Sequence, residues 1–244
     1  MVGGPKRCLE LHPVKHYQHL FFDLDHTLWD FESNSRSTLH ELYTKEALAE
    51  RGLSDADEFI AAYEEINHAL WIRYESGHLH KDVLRVLRFR NTLLAFGIKD
   101  ERLAVRMGKQ YLAICPSKSA LMPGALSLLE DLHGRYRIHI ITNGFDEVQY
   151  IKLNSSGISG YFDLVLTSEK AGARKPDPRI FATALKRTKA VADDSLMIGD
   201  DPRADIEGAR TAGWDQAHFS PNGPHDPLAT YGLKRLDDLR AILL

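Results

Sequence analysis

The first strongly patterned stretch of the chain is an apolar run, Leu20, Phe21 and Phe22, inside HLFFDLDHTLWDF at residues 19–31. Four more β-rich runs follow: RIHIIT (137–142), FDLVLTS (162–168), SLMIGD (195–200) and WDQAHF (214–219). They read as continuous apolar segments rather than alternating ones, the pattern of strands covered on both faces. Helix-like segments lie between them: GALSLLEDLHGRY, DEVQYIKLNSSG, DPRIFATALKRTKA and ADIEGARTAG. This strand–helix alternation predicts an α/β fold, a Rossmann-like parallel sheet with helices on both faces.

Residues 33–115 break the pattern, because no convincing strand occurs there. Phe59, Tyr63, Ile66 and Leu70 recur at intervals of four, three and four, the stripe of an amphipathic helix. Ser54, with Asp57 three residues on, resembles a capping box with a shorter acid. A second helical segment, KDVLRVLRFRNTLLAFG, ends at Gly97, a residue suited to a helix stop. The expected organisation is a core of residues 16–32 and 116–244, with a helical block, 33–115, inserted after the first strand. Residues 1–15 read as a flexible leader without the apolar run of a signal peptide.

Composition narrows the function classes. Among 244 residues, 31 basic and 34 acidic side chains leave a net charge of −3, which offers no basic field for a nucleic acid polymer or membrane surface. No apolar run approaches the roughly 18 residues of a membrane span. The two cysteines, Cys8 and Cys115, form no CxxC, so a reducing cytoplasm is the expected compartment. The twelve histidines, His16, His19, His78 and His80 among them, fall in no metal-ligand pattern and read as solvated surface groups. Oligomeric state is left open.

Ligands of parallel α/β sheets bind outside the carboxyl ends of the strands, and the chemistry of this chain collects there. Asp23 and Asp25 follow the first strand, Thr142 and Asn143 close the second, and Asp200 and Asp201 close the fourth. Lys175 lies in the loop SEKAGARKPDP after the third. Taken singly, DxD could be a loop or helix cap, Asn143-Gly144 a turn, Lys175 a solvated lysine and GDDPRAD a capping run. Acids, a hydroxyl and an ammonium converging from four separate stretches on one edge have no structural explanation.

In this order the stretches FFDLDHTL, HIITNG, the Lys175 of KPDPRIF, and GDDPRAD resemble the four motifs of the haloacid dehalogenase-like superfamily of phosphohydrolases. The resemblance runs from about residue 19 onward and implies a helical C1 cap at 33–115. Only about 33 residues separate Thr142 from Lys175, too few for a cap of the second type. By the family's pattern Asp23 is the nucleophile and Asp25 the general acid and base. Thr142, Asn143 and Lys175 hold the phosphoryl group. Asp23, Asp200 and the main-chain carbonyl of Asp25 bind Mg²⁺, and Asp201 and Asp205 support Lys175 or metal-bound waters. An acid at Asp25 suits a phosphatase, or a phosphomutase, better than a dehalogenase, whose halide leaves unprotonated.

Finer features, WDF, LWIRYESG, LRFRNTL and TNGFDEVQ, resemble the C1-capped pyrimidine nucleoside 5′-monophosphate phosphatases. The resemblance implies a small phosphorylated metabolite as substrate, with sugar phosphates as the alternative. Trp71 and Tyr74, three apart near the end of a cap helix, could stack on a base or simply pack the cap. Phe31, Arg85 and Arg88 are further candidate contacts. A receiver-like signalling domain also combines acids, Thr and Lys on a parallel sheet, but it is shorter, keeps its phosphoacceptor on a middle strand and has no helical insert.

Overall fold

The computed structural model describes residues 16–244, so the expected leader, residues 1–15, lies outside the described residues. The first described element is β1 (His19–Phe22), followed by four helices, α1 (Phe31–Lys45), α2 (Ala56–Glu75), α3 (Lys81–Ala95) and α4 (Glu101–Ile114). It returns through α5 (Ala125–Leu132), β2 (Arg137–Thr142), α6 (Asp146–Ser155), β3 (Leu164–Thr167), α7 (Ser168–Ala171) and α8 (Pro178–Thr188). The last elements are β4 (Ser195–Gly199), α9 (Gly208–Thr211), β5 (Asp215–Phe219), β6 (Tyr231–Leu233) and α10 (Arg240–Leu243).

All six strands are parallel, in the order β3-β2-β1-β4-β5-β6. The order reverses beside β1, between β2 and β4, where doubly wound sheets open a crevice at the strand ends. Side-chain alternation along β1 shows both faces at work. Leu20 and Phe22 join one apolar cluster with Leu128 and Leu129 of α5, while Phe21 joins another with Ile180 and Phe181 of α8. The edge strand β6 has only three residues and no apolar run, so periodicity passes over it. No helix among the described residues is long and apolar enough to cross a membrane.

Helices α1 to α4 form the cap, and no strand arises between them. The stripe predicted on α2 is buried at Phe59, Tyr63 and Leu70. Its N-cap is Asp55 rather than Ser54: the Asp55 carboxylate accepts from the Asp57 and Glu58 amides at 2.7 and 3.4 Å. Two adjacent crossings tie cap to core. The Asp30 amide donates to the Ala120 carbonyl at 3.1 Å, and Asn34 bonds both the carbonyl and the amide of Ala120.

His19 is no solvated surface group. Its ring stacks on His139 of β2 at 5.3 Å, with Nδ1 and Nε2 3.0 Å apart, and His139 in turn lies 4.6 Å from the Phe21 ring. Burial, reinforced by the neighbouring His19, lowers the His139 pKa from 6.5 to about 4. A folded-state pKa below the unfolded one makes this ring contribute fully above pH 6.5 and lose its contribution as pH falls toward 4. Replacing it, His139→Leu, should therefore improve stability relative to the parent by about 1–2 kcal/mol on moving from about pH 8 to pH 5. Urea denaturation of both proteins at the two pH values measures this, and a difference that does not change with pH would mean the ring titrates alike in the folded and unfolded protein.

Candidate active site

The sheet delivers its chemistry from neighbouring strands. Asp23 follows β1, its amide donating to the Ile198 carbonyl of β4 at 2.8 Å. Leu24 turns into the core while the chain reverses at His26, whose φ of 64° places it in the left-handed region. The amides of Leu28 and Trp29 both donate to the Leu24 carbonyl, closing a tight loop that leaves Asp25 facing the cavity. At the end of β2 the Thr142 hydroxyl oxygen accepts from the Gly144 amide at 3.0 Å. Asn143 clamps the Lys175 loop from both sides, Oδ1 accepting from the Lys175 amide at 2.9 Å and Nδ2 donating to its carbonyl at 3.0 Å.

At the centre the Lys175 ammonium donates to Asp23 Oδ1 at 2.5 Å, to Asp205 Oδ1 at 2.6 Å and to the Ile141 carbonyl at 2.8 Å. Asp205 reaches this place because position 199 is glycine: a Cβ there would lie 2.2 Å from Asp205 Oδ2. Asp200 accepts from the Thr27 hydroxyl at 3.1 Å. Asp201, grouped by sequence with the residues behind Lys175, instead caps the next helical turn by accepting from the Arg203 and Ala204 amides, both at 2.8 Å. Its side chain is spent on the backbone.

Burial dominates the electrostatics. It raises the carboxyl pKa of Asp23 and of Asp200 to about 7 and that of Asp205 to about 6, against the pull of Lys175 on all three. Burial works against the Lys175 ammonium too, but Asp205 and Asp23 outweigh it and hold its pKa above the ordinary lysine value. Oxygens of Asp23, Asp200 and Asp205 lie within 4.8 Å of one another. Three carboxylates against one ammonium leave a local excess of two negative charges, which a divalent cation would neutralise. The donor set fits a hard cation, since Asp23 and Asp200 each keep an oxygen that accepts no hydrogen bond from the described residues. Asp205 is less suited, with Oδ1 on Lys175 and Oδ2 on the Asp201 amide.

Sequence reasoning missed Lys152. Both oxygens of Asp25 accept from its ammonium at 2.7 Å, and that ammonium also sits 4.6 Å above the Trp29 ring. The signal was present but faint: on α6 the buried residues are Val148, Gln149, Lys152 and Leu153, so a lysine stands within the inward stripe.

A cavity of about 620 Å³ lies between cap and core above these groups. Phe31 and Trp71 line it, as do Tyr63 and Asn67, which sequence reasoning did not select as contacts. Tyr74, Arg85 and Arg88 do not line it. Tyr74 is buried against Phe145 and covered by the Arg174 guanidinium, which lies 4.2 Å from its ring. Arg85 pairs with Asp82 and Glu147 at the seam between cap and core, and Arg88 is buried inside the cap against Tyr111.

Comparison with known proteins places this geometry. The model of the haloacid dehalogenase-like hydrolases matches residues 17–213. The chain is 33% identical to the pyrimidine 5′-nucleotidase YjjG of Escherichia coli, over 92% of this chain and 96% of that one. It is 32% identical to the pyrimidine 5′-nucleotidase PynA of Streptococcus pneumoniae, over 84% and 85%. Among solved structures, the magnesium-bound HAD-hydrolase YfnB of Bacillus subtilis superposes with a TM-score of 0.85 at 29% identity, covering 94% of this chain and 99% of that one. With its acids, threonine and lysine set on successive strand ends beneath a helical cap, the chain belongs to the haloacid dehalogenase-like hydrolases.

Proposed function

We propose that this protein is a Mg²⁺-dependent phosphomonoesterase that works through an aspartyl-phosphate and takes pyrimidine nucleoside 5′-monophosphates. The observation that carries the reading is the pair of carboxylates at the cavity floor in two different settings: Asp23 is held by Lys175, whereas Asp25 is held by Lys152. One is placed to attack and the other to handle protons. The aromatic Phe31 and Trp71 in the wall above supply flat surfaces for a base. The likeness to two pyrimidine 5′-nucleotidases supports the substrate class.

Asp23 attacks phosphorus through a carboxylate oxygen, and the bond from phosphorus to the ester oxygen breaks. Asp25 gives its proton to the departing oxygen of the nucleoside, then takes one from the water that attacks the aspartyl-phosphate, releasing phosphate and restoring Asp23. The Thr142 hydroxyl and the Asn143 amide bind phosphoryl oxygens, while Lys175 neutralises charge on Asp23. Asp23, Asp200 and the main-chain carbonyl of Asp25 are the residues that would hold Mg²⁺, which supplies charge neutralisation at the phosphoryl group. Asp205 keeps Lys175 in place. Lys152 fixes the orientation of the Asp25 carboxyl.

Adding saturating Mg²⁺ to chelator-treated protein should raise its melting temperature by roughly 5–10 °C, and Asp200→Asn should remove most of that rise. Proton and cation compete for carboxyls held at about 7, so the rise should be larger at about pH 8 than at about pH 6. Thermal scans at both pH values check this, and an undiminished rise in Asp200→Asn would place the cation elsewhere.

Asp23→Asn should abolish turnover of every substrate. In the parent protein, kcat/KM for deoxyuridine 5′-monophosphate should exceed that for deoxyadenosine 5′-monophosphate, phosphoserine and glucose 6-phosphate. Should glucose 6-phosphate or phosphoserine be turned over as well as the pyrimidine nucleotide, the substrate assignment is wrong.

A third outcome follows from Lys152. In Lys152→Met, the ratio of kcat/KM for deoxyuridine 5′-monophosphate to that for p-nitrophenyl phosphate, whose phenolate departs with little need of a proton, should fall about tenfold or more. Equal losses on both substrates would show that Lys152 serves the fold rather than the acid.

A further inference from the structure

One stripe of α2 climbs the cavity wall from the catalytic floor into the cap. Glu75, Trp71, Asn67 and Tyr63, each four residues apart, all line the cavity. Four residues of helix advance about 6 Å, so successive members are spaced about 6 Å apart along the helix. Glu75 marks the bottom, where it accepts from Asn143 Nδ2 at 3.2 Å. Trp71 comes next, its ring stacked on Phe145 at 5.1 Å. Asn67 and then Tyr63 lie deepest in the cap.

That deep end is built from donors that the protein leaves unsatisfied. Tyr63 is 1% exposed, and its hydroxyl, within reach of Arg88 and Tyr111, makes no hydrogen bond of good geometry among the described residues. Burial keeps this phenol protonated, with its pKa raised to about 12, so at neutral pH it can donate. Arg88 is 2% exposed and has no carboxylate partner among the described ion pairs; its guanidinium lies 4.4 Å from the Tyr111 ring centre and 5.5 Å from that of Phe89. Its Nε and Nη2 are unpartnered, and Nη1 donates to Asn67 Oδ1 at 3.5 Å. That contact orients the Asn67 amide, whose Nδ2 donates in no hydrogen bond among the described residues. A folded protein has no structural reason to bury so many idle donors.

We propose that Tyr63 Oη and Asn67 Nδ2 donate to a ring carbonyl of the substrate's base, with Arg88 acting behind them as a positioning residue for Asn67. The assignment deepens the nucleotidase reading above and rests on it. Uracil, thymine and cytosine share the C2 carbonyl, which adenine lacks and which guanine replaces by a carbonyl on the far side of its six-membered ring, so two donors aimed at that oxygen select pyrimidines. A carboxylate or second phosphate fits less well, because Glu32, Glu64 and Glu75 share the cavity wall and Arg88 stands behind it rather than in it. A neutral acceptor on a planar ring meets both conditions. The ring itself reaches the level of Trp71 before its edge reaches Asn67.

The test compares deoxyuridine 5′-monophosphate with deoxyribose 5-phosphate, which keeps the sugar and phosphate but has no base. Parent protein, Tyr63→Phe and Asn67→Asp are assayed on both, and deoxyadenosine 5′-monophosphate is run on the parent. The Tyr63 change removes only an oxygen that makes no hydrogen bond of good geometry among the described residues, and the Asn67 change keeps an acceptor for Arg88 while deleting the donor. The ratio of kcat/KM for the pyrimidine nucleotide to that for the abasic sugar phosphate should fall about tenfold in each variant, mainly through KM. Uridine, offered as a competitive inhibitor, should lose affinity in parallel. An unchanged ratio in Tyr63→Phe, in a parent that prefers the pyrimidine nucleotide, overturns the carbonyl assignment and leaves the nucleotidase reading standing. A parent that handles deoxyadenosine 5′-monophosphate or deoxyribose 5-phosphate as well as deoxyuridine 5′-monophosphate overturns both.

Discussion

Everything at this end of the sheet is arranged around one buried ammonium. Lys175 is 3% exposed and bridges Asp23 and Asp205, which are themselves nearly inaccessible. Without it, two carboxylates would face each other in a medium of low dielectric, a cost of several kcal/mol for each uncompensated charge. With it they share one cation, and the pull of Lys175 limits how far burial raises their pKa values. The supporting structure serves this contact: Asn143 pins the Lys175 main chain from both sides, and Gly199 makes room for the Asp205 carboxyl. The constraint explains why residues so far apart in sequence must meet with small tolerance.

The second acid is held by a different device. Asp25 is paired with Lys152, which is buried beneath aromatic rings and belongs to the helix that follows the β2 loop. Two carboxyls separated by a single residue thus have separate cations, contributed by different elements. Like charges placed so close would otherwise compete for one counter-ion. Keeping the cations apart lets each carboxyl hold its own orientation beneath the cavity.

The cap contributes a contrasting kind of environment. Where Lys175 at the core floor meets two carboxylates and a carbonyl, the inner wall of the cap buries a tyrosine hydroxyl and much of a guanidinium without a hydrogen bond of good geometry among the described residues. Aromatic faces around Arg88 offset part of the cost of its charge. Contacts between cap and core concentrate at the seam, in the Trp71–Phe145 stack and the pairs that Lys81 and Arg85 make with Glu169 and Glu147. These pairs are only part-buried, so solvent screens them more than it screens the Lys175 pairs at the floor.

Much of this was legible in the chain itself. Continuous apolar runs marked five of the six strands, because burial on both faces leaves little room for polar residues. Asp23, Asp25, Thr142, Lys175 and Asp200, expected from their places at strand ends or in the loop beyond, do come together on one cavity. What stayed hidden was partnership. Asp25 meets Lys152 across 127 residues, and nothing local distinguishes that lysine from its solvated neighbours except a faint place in an inward stripe. Asp205 rather than Asp201 holds Lys175, since a helical turn decides which acid points inward and which caps the backbone. In the cap, periodicity shows that a helix has a buried face but not what that face is buried against. Trp71 and Tyr74 look equivalent by spacing, yet packing sends one into the cavity wall and the other beneath Arg174. Local sequence sets which residues are inward; only the docking of one element on another decides what they meet.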